Sequence, residues 1–214
     1  MNREIAGKKK ISEDFKMGRI FYVMGKSASG KDTVYKRILK DMPELKTVVI
    51  YTTRPVRDGE QNGVEYYFTS EERFREYERS GKVIESRTYS TVYGPWTYFT
   101  VDDGQFDLKS YNYLMIGTLE SYGNLRRYFG SDAVVPIYIH VDDGLRLSRA
   151  LDRERAQKIP KYAEMCRRFL ADEEDFKEEN LKAYGIGRLY ENGCLEDCVR
   201  EIEDVIKGND SIQR

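Results

Sequence analysis

The stretch Gly25-Lys26-Ser27-Ala28-Ser29-Gly30-Lys31, followed by Asp32-Thr33, constrains the fold more than any other part of this chain. It comes directly after Arg19–Met24 (RIFYVM), which reads as a short buried strand. It precedes Thr33–Lys40, where Val34, Ile38 and Leu39 fall close to helical spacing. Strand, glycine-rich loop and helix in that order make a phosphate-binding unit. Successive backbone N–H groups, here those around Ser27, Ala28 and Ser29, cradle phosphate oxygens, and the helix N-terminus adds its partial positive charge. Gly25 and Gly30 permit close approach and unusual dihedrals. Lys31 would reach the phosphates as a point charge. The usual pattern has Ser or Thr directly after the lysine. Here that position is Asp32, and the hydroxyl comes one later, at Thr33. A plain Gly/Ser turn before an ordinary helix is the simpler reading, and the strand–loop–helix context weighs against it.

The rest of the chain alternates in kind. Lys46–Tyr51 (KTVVIY) reads as a second strand, and Thr52–Val64 has loop chemistry. Thr69-Ser70-Glu71-Glu72 reads as a capping box, opening a helix with Phe74 and Tyr77 on one face and Gly81 at its end. Lys82–Thr100 reads as short strands and turns. Tyr113–Ile116 and Val134–Val141 are further buried strands. Helices are predicted from about Gly144 to Ala156, from Lys161 to Asn180, and from Cys194 to Lys207. Strands alternating with helices imply an α/β fold with a parallel sheet core flanked by helices. Thr52–Thr100 breaks the alternation and is long enough for a small inserted lobe, suited to hold a second substrate against the first. Met1–Lys16 lacks periodicity and reads as a loose tail.

Several function classes are excluded by composition. Among 214 residues, 36 Lys and Arg face 37 Asp and Glu, a net charge of −1. That argues against a protein held to nucleic acid or anionic lipid by bulk charge. The longest strongly apolar stretches are about five residues, too short for a membrane span or signal-peptide core. Cys166, Cys194 and Cys198 form no CxxC pair and no disulfide framework, and read as reduced thiols of a cytoplasmic protein. His140, the only histidine, reads as a strand-end residue rather than a catalyst.

Two further patterns bear on chemistry. In Thr52-Thr53-Arg54-Pro55-Val56-Arg57-Asp58-Gly59-Glu60, two arginines three apart suit a phosphate clamp, to which Tyr66 would add a hydroxyl. Alone, that segment is as well read as a basic surface loop. Arg146–Arg168 has a net charge of +5, and Asp172–Glu179 a net charge of −5. Arg149 and Arg153, four apart, share a helix face. Most of these charges suit a solvated helix pair; a few arginines suit a lid laid over phosphates.

Together these segments resemble the guanylate kinase family. GKSASGKDT, TTRPVRDGEQNGVEYYF, VIES…VYG, RALDR, RRFLADEEDF and YEN stand in the family's order, from about Gly18 to Ile206. The resemblance implies an ATP-dependent kinase converting GMP (or dGMP) to GDP with Mg²⁺. It implies a tail over 1–17 and one domain over 18–214. Within that domain it implies a core (18–51 and 101–145), a nucleoside-monophosphate lobe (52–100), a lid (about 146–170), and core helices with the C-terminus (171–207). At matching positions, Arg54, Arg57, Tyr66 and Tyr93 would hold the acceptor phosphate, and Glu85 would read guanine. Lys31, Arg149, Arg153 and Arg168 would surround the transferred phosphoryl group. Gly25–Thr33 would hold the ATP phosphates, and Asn192 would lie near the adenine.

The chain also departs from the family. Ile50 replaces a serine that helps read guanine, and Pro95 replaces a small hydroxyl residue after Tyr93-Gly94. The family strand that ends in an acidic pair reads Leu114-Met115-Ile116-Gly117-Thr118 here, with no acid before Glu120. Asp32, beside Thr33, is therefore the expected metal partner, its alternative role being a helix cap. Two other readings stay open: a sister kinase with another phosphorylated acceptor such as ribose 1,5-bisphosphate, and a non-catalytic interaction module on the same scaffold.

Overall fold

The computed structural model describes residues 17–91 and 94–209. The tail expected at 1–17 lies outside these residues but for Met17, as does Tyr93. In chain order the elements are β1 (Ile20–Met24), α1 (Lys31–Asp41), β2 (Tyr51–Thr52), β3 (Tyr67–Phe68) and α2 (Glu71–Arg79). Then come β4 (Val83–Thr91), β5 (Gly94–Val101), β6 (Tyr113–Ile116), α3 (Leu119–Phe129) and β7 (Val134–His140). The chain continues with α4 (Asp143–Arg155), α5 (Tyr162–Asp175), α6 (Glu178–Ala183), β8 (Leu189–Glu191) and α7 (Leu195–Lys207).

A parallel sheet in the order β6-β1-β7-β8 forms the centre. Every residue of β1 is buried, as expected of a strand covered on both faces. Its alternation sorts the core. Phe21 and Val23 pack with Val34 and Ile38 of α1 and with Val199 and Ile202 of α7. Ile20, Tyr22 and Met24 pack on the opposite side with Leu119, Tyr122 and Leu125 of α3. A second, mixed sheet runs β3-β2-β5-β4 and carries its own small core of Phe74, Phe99 and Val101. The predicted α/β architecture with a parallel sheet is thus observed.

Local expectations fared unevenly. The strand predicted at Lys46–Tyr51 is reduced to a bridge at Lys46 and two residues of β2. Between them, Gln105 supplies what a neighbouring strand would: Val49 N–H donates to its Oε1 (2.9 Å), and its Nε2 donates to Val49 O (3.2 Å). Lys82–Thr100 forms two long antiparallel strands rather than short ones. The helix predicted over Lys161–Asn180 breaks after Asp175. Phe176 turns inward to stack on Tyr138 at 5.3 Å, while the Asn180 side chain donates to the carbonyls of Glu174 and Asp175 (3.0 and 3.1 Å). The cap of α2 is Ser70, which accepts from Arg73 N–H, so a box opening on Thr69 does not form. α3 and β8 were not predicted. Gly123, with Ser121, Tyr122 and Asn124 beside it, weakens the helical signal of α3; Gly123 is needed, because a Cβ there would stand 2.1 Å from Tyr184.

Candidate active site

The loop 25–30 joins β1 to α1 as predicted. Gly25 has no room for a side chain: a Cβ would lie 2.6 Å from Ile139 O and 2.8 Å from Ser29 Oγ. Ala28 and Gly30 both take left-handed backbone, with φ 62 and 81. Gly30 caps α1 with no side-chain hydrogen bond, and its carbonyl accepts from Thr33 and Val34 N–H at 3.0 Å each. The earliest N–H groups of a helix have no partner within it, so the end of α1 is an anion-binding terminus. The Ser29 hydroxyl is buried with no hydrogen-bond partner among the described residues.

Asn192 braces this loop from behind. It is buried, and its Nδ2 donates to Ser29 O at 2.8 Å. Its own carbonyl accepts from Arg149 Nη2 at 3.2 Å. Asn192, the residue expected near an adenine, thus supports the loop in this structure.

Charged side chains of α4 and α5 hold the loop from the other direction. Ser27 N–H donates to Asp172 Oδ2 at 2.7 Å, and Lys26 Nζ lies 2.8 Å from both oxygens of Glu173. Arg146 is 1% exposed. It reaches Ser27 O at 3.1 Å, Asp143 at 2.8 Å and Glu173 at 2.5 Å, and lies over the Phe169 ring. Sequence reasoning gave no role to Lys26, Arg146, Asp172 or Glu173. The signal was present in the +5 and −5 blocks, which read as solvated faces because nothing in the sequence pairs them across the fold.

Lys31 opens onto a cleft of about 890 Å³ between the two sheets and α5. Asp32, Tyr66, Arg87 and Arg168 also line it. Arg153 and Arg168 line an adjoining cavity of about 210 Å³ with Ser27. The structure thus brings Lys31 and Arg168 to one cleft and Arg153 to its neighbour, and leaves Arg149 on Asn192. Glu164 accepts from Arg167 (2.7 and 2.8 Å) and from Arg168 (2.9 Å). These guanidiniums hold its carboxyl down at about 2. Thr33 is exposed on the same turn as Asp32 and does not line the cleft.

The residues expected at the acceptor are placed less uniformly. Tyr66 lines the cleft, and burial pushes its hydroxyl pKa up. Arg57 is exposed. Arg54 is 3% exposed, with its fork on Glu60 (3.0 and 2.8 Å), its Nε on the Tyr98 hydroxyl (3.1 Å) and Nη1 also on Pro55 O (2.8 Å). Glu85 is 5% exposed, and its two oxygens accept from Thr100 Oγ1 and Ser121 Oγ, at 2.8 Å each. It does not line the cleft; Arg87, two residues on, does. His140 ends β7 as predicted and meets Glu191 at 2.8 Å.

Comparison with known proteins gives a consistent picture. Residues 17–100 match the family model described as guanylate kinase. The chain is 34% identical over 109 residues to the guanylate kinase of Neisseria gonorrhoeae, covering 51% of each chain. It is 41% identical over 78 residues to that of Symbiobacterium thermophilum, covering 36% of this chain and 37% of the other. For the guanylate kinase of Clostridioides difficile the figures are 40% over 80 residues, 37% and 39%. The matched stretches span between about a third and a half of the relatives' length. The solved structure of guanylate kinase from Anaplasma phagocytophilum superposes with a TM-score of 0.60 over 92% of this chain and 88% of that one. At 19% identity that likeness concerns the fold. Resemblance to guanylate kinases is therefore shown in sequence for residues 17–100 and in fold for most of the chain.

Proposed function

We propose that this chain is an ATP-dependent kinase that phosphorylates GMP or dGMP to the diphosphate. The observation that carries the reading is one cleft lined from three sides: Lys31 at the head of α1, Tyr98 of β5 with Tyr66 just before β3, and Arg168 from α5. A donor phosphate chain laid on the loop and an acceptor phosphate held by the second sheet would meet there. An oxygen of the acceptor phosphate attacks the γ-phosphorus of ATP, the bond from that phosphorus to the β,γ-bridging oxygen breaks, and ADP leaves. The acceptor phosphate is largely ionised at pH 7, with a second pKa of about 6. It requires no strong general base, so a chain with one histidine is sufficient.

Catalysis then rests on position and charge. Lys31 and the loop N–H groups hold the β and γ phosphates. Arg57, Tyr66 and Tyr93 hold the acceptor phosphate, with Arg54 fixing the loop through Glu60. Arg149, Arg153 and Arg168 answer the charge of the transferring group, Arg168 by exchanging Glu164 for a phosphate oxygen. Asp32 is exposed on the cleft beside Lys31, so its carboxylate would be available to a Mg²⁺, which commonly needs only one or two carboxylates besides phosphates and water. Bound there, Mg²⁺ would neutralise charge on the β and γ phosphates. Among the described residues no helix is long and apolar enough to cross a membrane. The free thiols at Cys166 and Cys194 are exposed, which suits the reducing cytoplasm.

A single assay tests the reading: ATP with GMP, dGMP, AMP, UMP, CMP or ribose 1,5-bisphosphate as acceptor. Transfer to GMP and dGMP above the others supports it. Preference for the sugar bisphosphate makes the chain a sister kinase, and no transfer to any makes it an interaction module.

A further inference from the structure

Both backbone polar groups of Ser27 are held from the helix pair α4 and α5. Its N–H donates to Asp172 Oδ2 at 2.7 Å, and its carbonyl accepts from Arg146 Nη1 at 3.1 Å. Arg146 is the side chain common to α4, α5 and the loop. Its Nε and Nη2 donate to Asp143 Oδ1 on its own helix, at 3.0 and 2.8 Å. Nη2 also reaches Glu173 Oε1 on α5 at 2.5 Å, and the guanidinium carbon lies 4.4 Å from the centre of the Phe169 ring. All three nitrogens are engaged, and the side chain is buried. The planar fork makes this possible; an ammonium could not bridge the same partners.

Stability alone does not account for such a network. Two cations, Lys26 and Arg146, face three carboxylates, Asp143, Asp172 and Glu173, a net charge of −1. Buried ion pairs seldom repay their desolvation, and fixing a register is their best-attested use. A net negative charge behind a loop built for phosphates is unfavourable in addition. The placement on α5 supplies the reason. Phe169, Asp172 and Glu173, at helical spacings of three and four, share the face that meets Arg146 and the loop. Arg168 stands one turn before Asp172 and lines the cleft with Lys31. The register of α5 on the loop therefore sets the separation of Arg168 from Lys31.

We propose that Arg146 is a positioning residue that locks α5 to the phosphate loop in one register, and so sets Arg168 opposite Lys31. The proposal rests on the kinase reading for the group these two cations would share. Arg146 itself acts only through Ser27, Asp143 and Glu173.

The test uses the full chain with Arg146→Met, and with Arg146→Met combined with Glu173→Gln. The single substitution leaves carboxylates unopposed and should lower the urea midpoint. The combined one removes a charge of each sign and should recover most of that loss. Turnover with ATP, Mg²⁺ and GMP should nevertheless stay about tenfold to a hundredfold low in kcat, the scale of a misplaced catalytic group, with KM for GMP within about threefold. Hydrogen exchange reads the register without any acceptor. ATP with Mg²⁺ should slow exchange across α5 several-fold in the native chain, and only in the loop and α1 in the combined variant. That variant carries the test should Arg146→Met fail to fold, and Arg146→Lys, which keeps the charge and loses the fork, should both fail. A kcat that returns with stability would make Arg146 structural and overturn the proposal. So would ATP protection of α5 that survives in the combined variant or is missing from the native chain. Protection of α5 that depends on Arg146, in a chain that transfers phosphate to no acceptor, would refute the kinase reading and leave this one standing.

Discussion

The carboxylate of Asp172 accepts the backbone N–H of Ser27 at 2.7 Å. An acid on α5 thus holds one of the loop N–H groups that would otherwise face a phosphate, and Glu173 beside it holds Lys26. The contact joins α5 to the loop at the point where charge matters most. Hydrogen bonds to a charged partner contribute about 1.5–3 kcal/mol, so Asp172→Ala should lower the unfolding free energy by about that amount. Urea unfolding reads the change. An unaltered midpoint would mean that Asp172 is incidental to the loop.

The cluster of Glu164 with Arg167 and Arg168 should be pH-dependent with a definite sign. The carboxyl titrates at about 2 in the folded chain, below an ordinary glutamate, because both guanidiniums bond to it. The pairing therefore stabilises the fold fully above the unfolded value of about 4.3 and is lost as pH falls toward the folded one. At 38% exposure the pair is screened, and the effect should shrink in 1 M salt. Melting of the native chain and of Glu164→Gln should differ at pH 6, converge near pH 2, and differ less at high salt. A difference that persists at pH 2 would assign Glu164 another role.

Asp32 sits in the first turn of α1, but the cap is Gly30 and no side chain caps that end. That favours the metal role over the capping role. Asp32→Asn should raise the Mg²⁺ needed for half-maximal transfer several-fold. The melting temperature should change little, because a carboxylate near a helix start contributes only about 0.3–1 kcal/mol. A fallen melting temperature with an unmoved Mg²⁺ midpoint would reverse the assignment.

The parts of this molecule legible in the sequence are those set by local pattern. Ile20–Met24 (IFYVM) is apolar at every position and is buried on both faces. The loop from Gly25 to Lys31 carries its chemistry in consecutive residues. What stayed hidden depends on partners distant in the chain. Gln105 replaces a strand neighbour for Val49 from 56 positions away. Arg146 looks like one more helical surface arginine until Glu173 and Ser27 O close around it. Glu85 was expected to face the acceptor because a carboxylate at that position matches the family. Its burial is set by Thr100 across the hairpin and Ser121 on α3, and neither shows a link to it in sequence.

The central claim is phosphoryl transfer dependent on Lys31. The direct measurement follows label from γ-³²P-ATP to GMP with Mg²⁺, using the full chain and Lys31→Ala, with melting recorded for both. Native chain should yield labelled GDP. Lys31→Ala should yield about 10²–10³-fold less at an unchanged melting temperature, the scale of removing one positioned charge or donor from a transition state. Label that never reaches GMP with the native chain, or reaches it equally well without Lys31, would contradict the account.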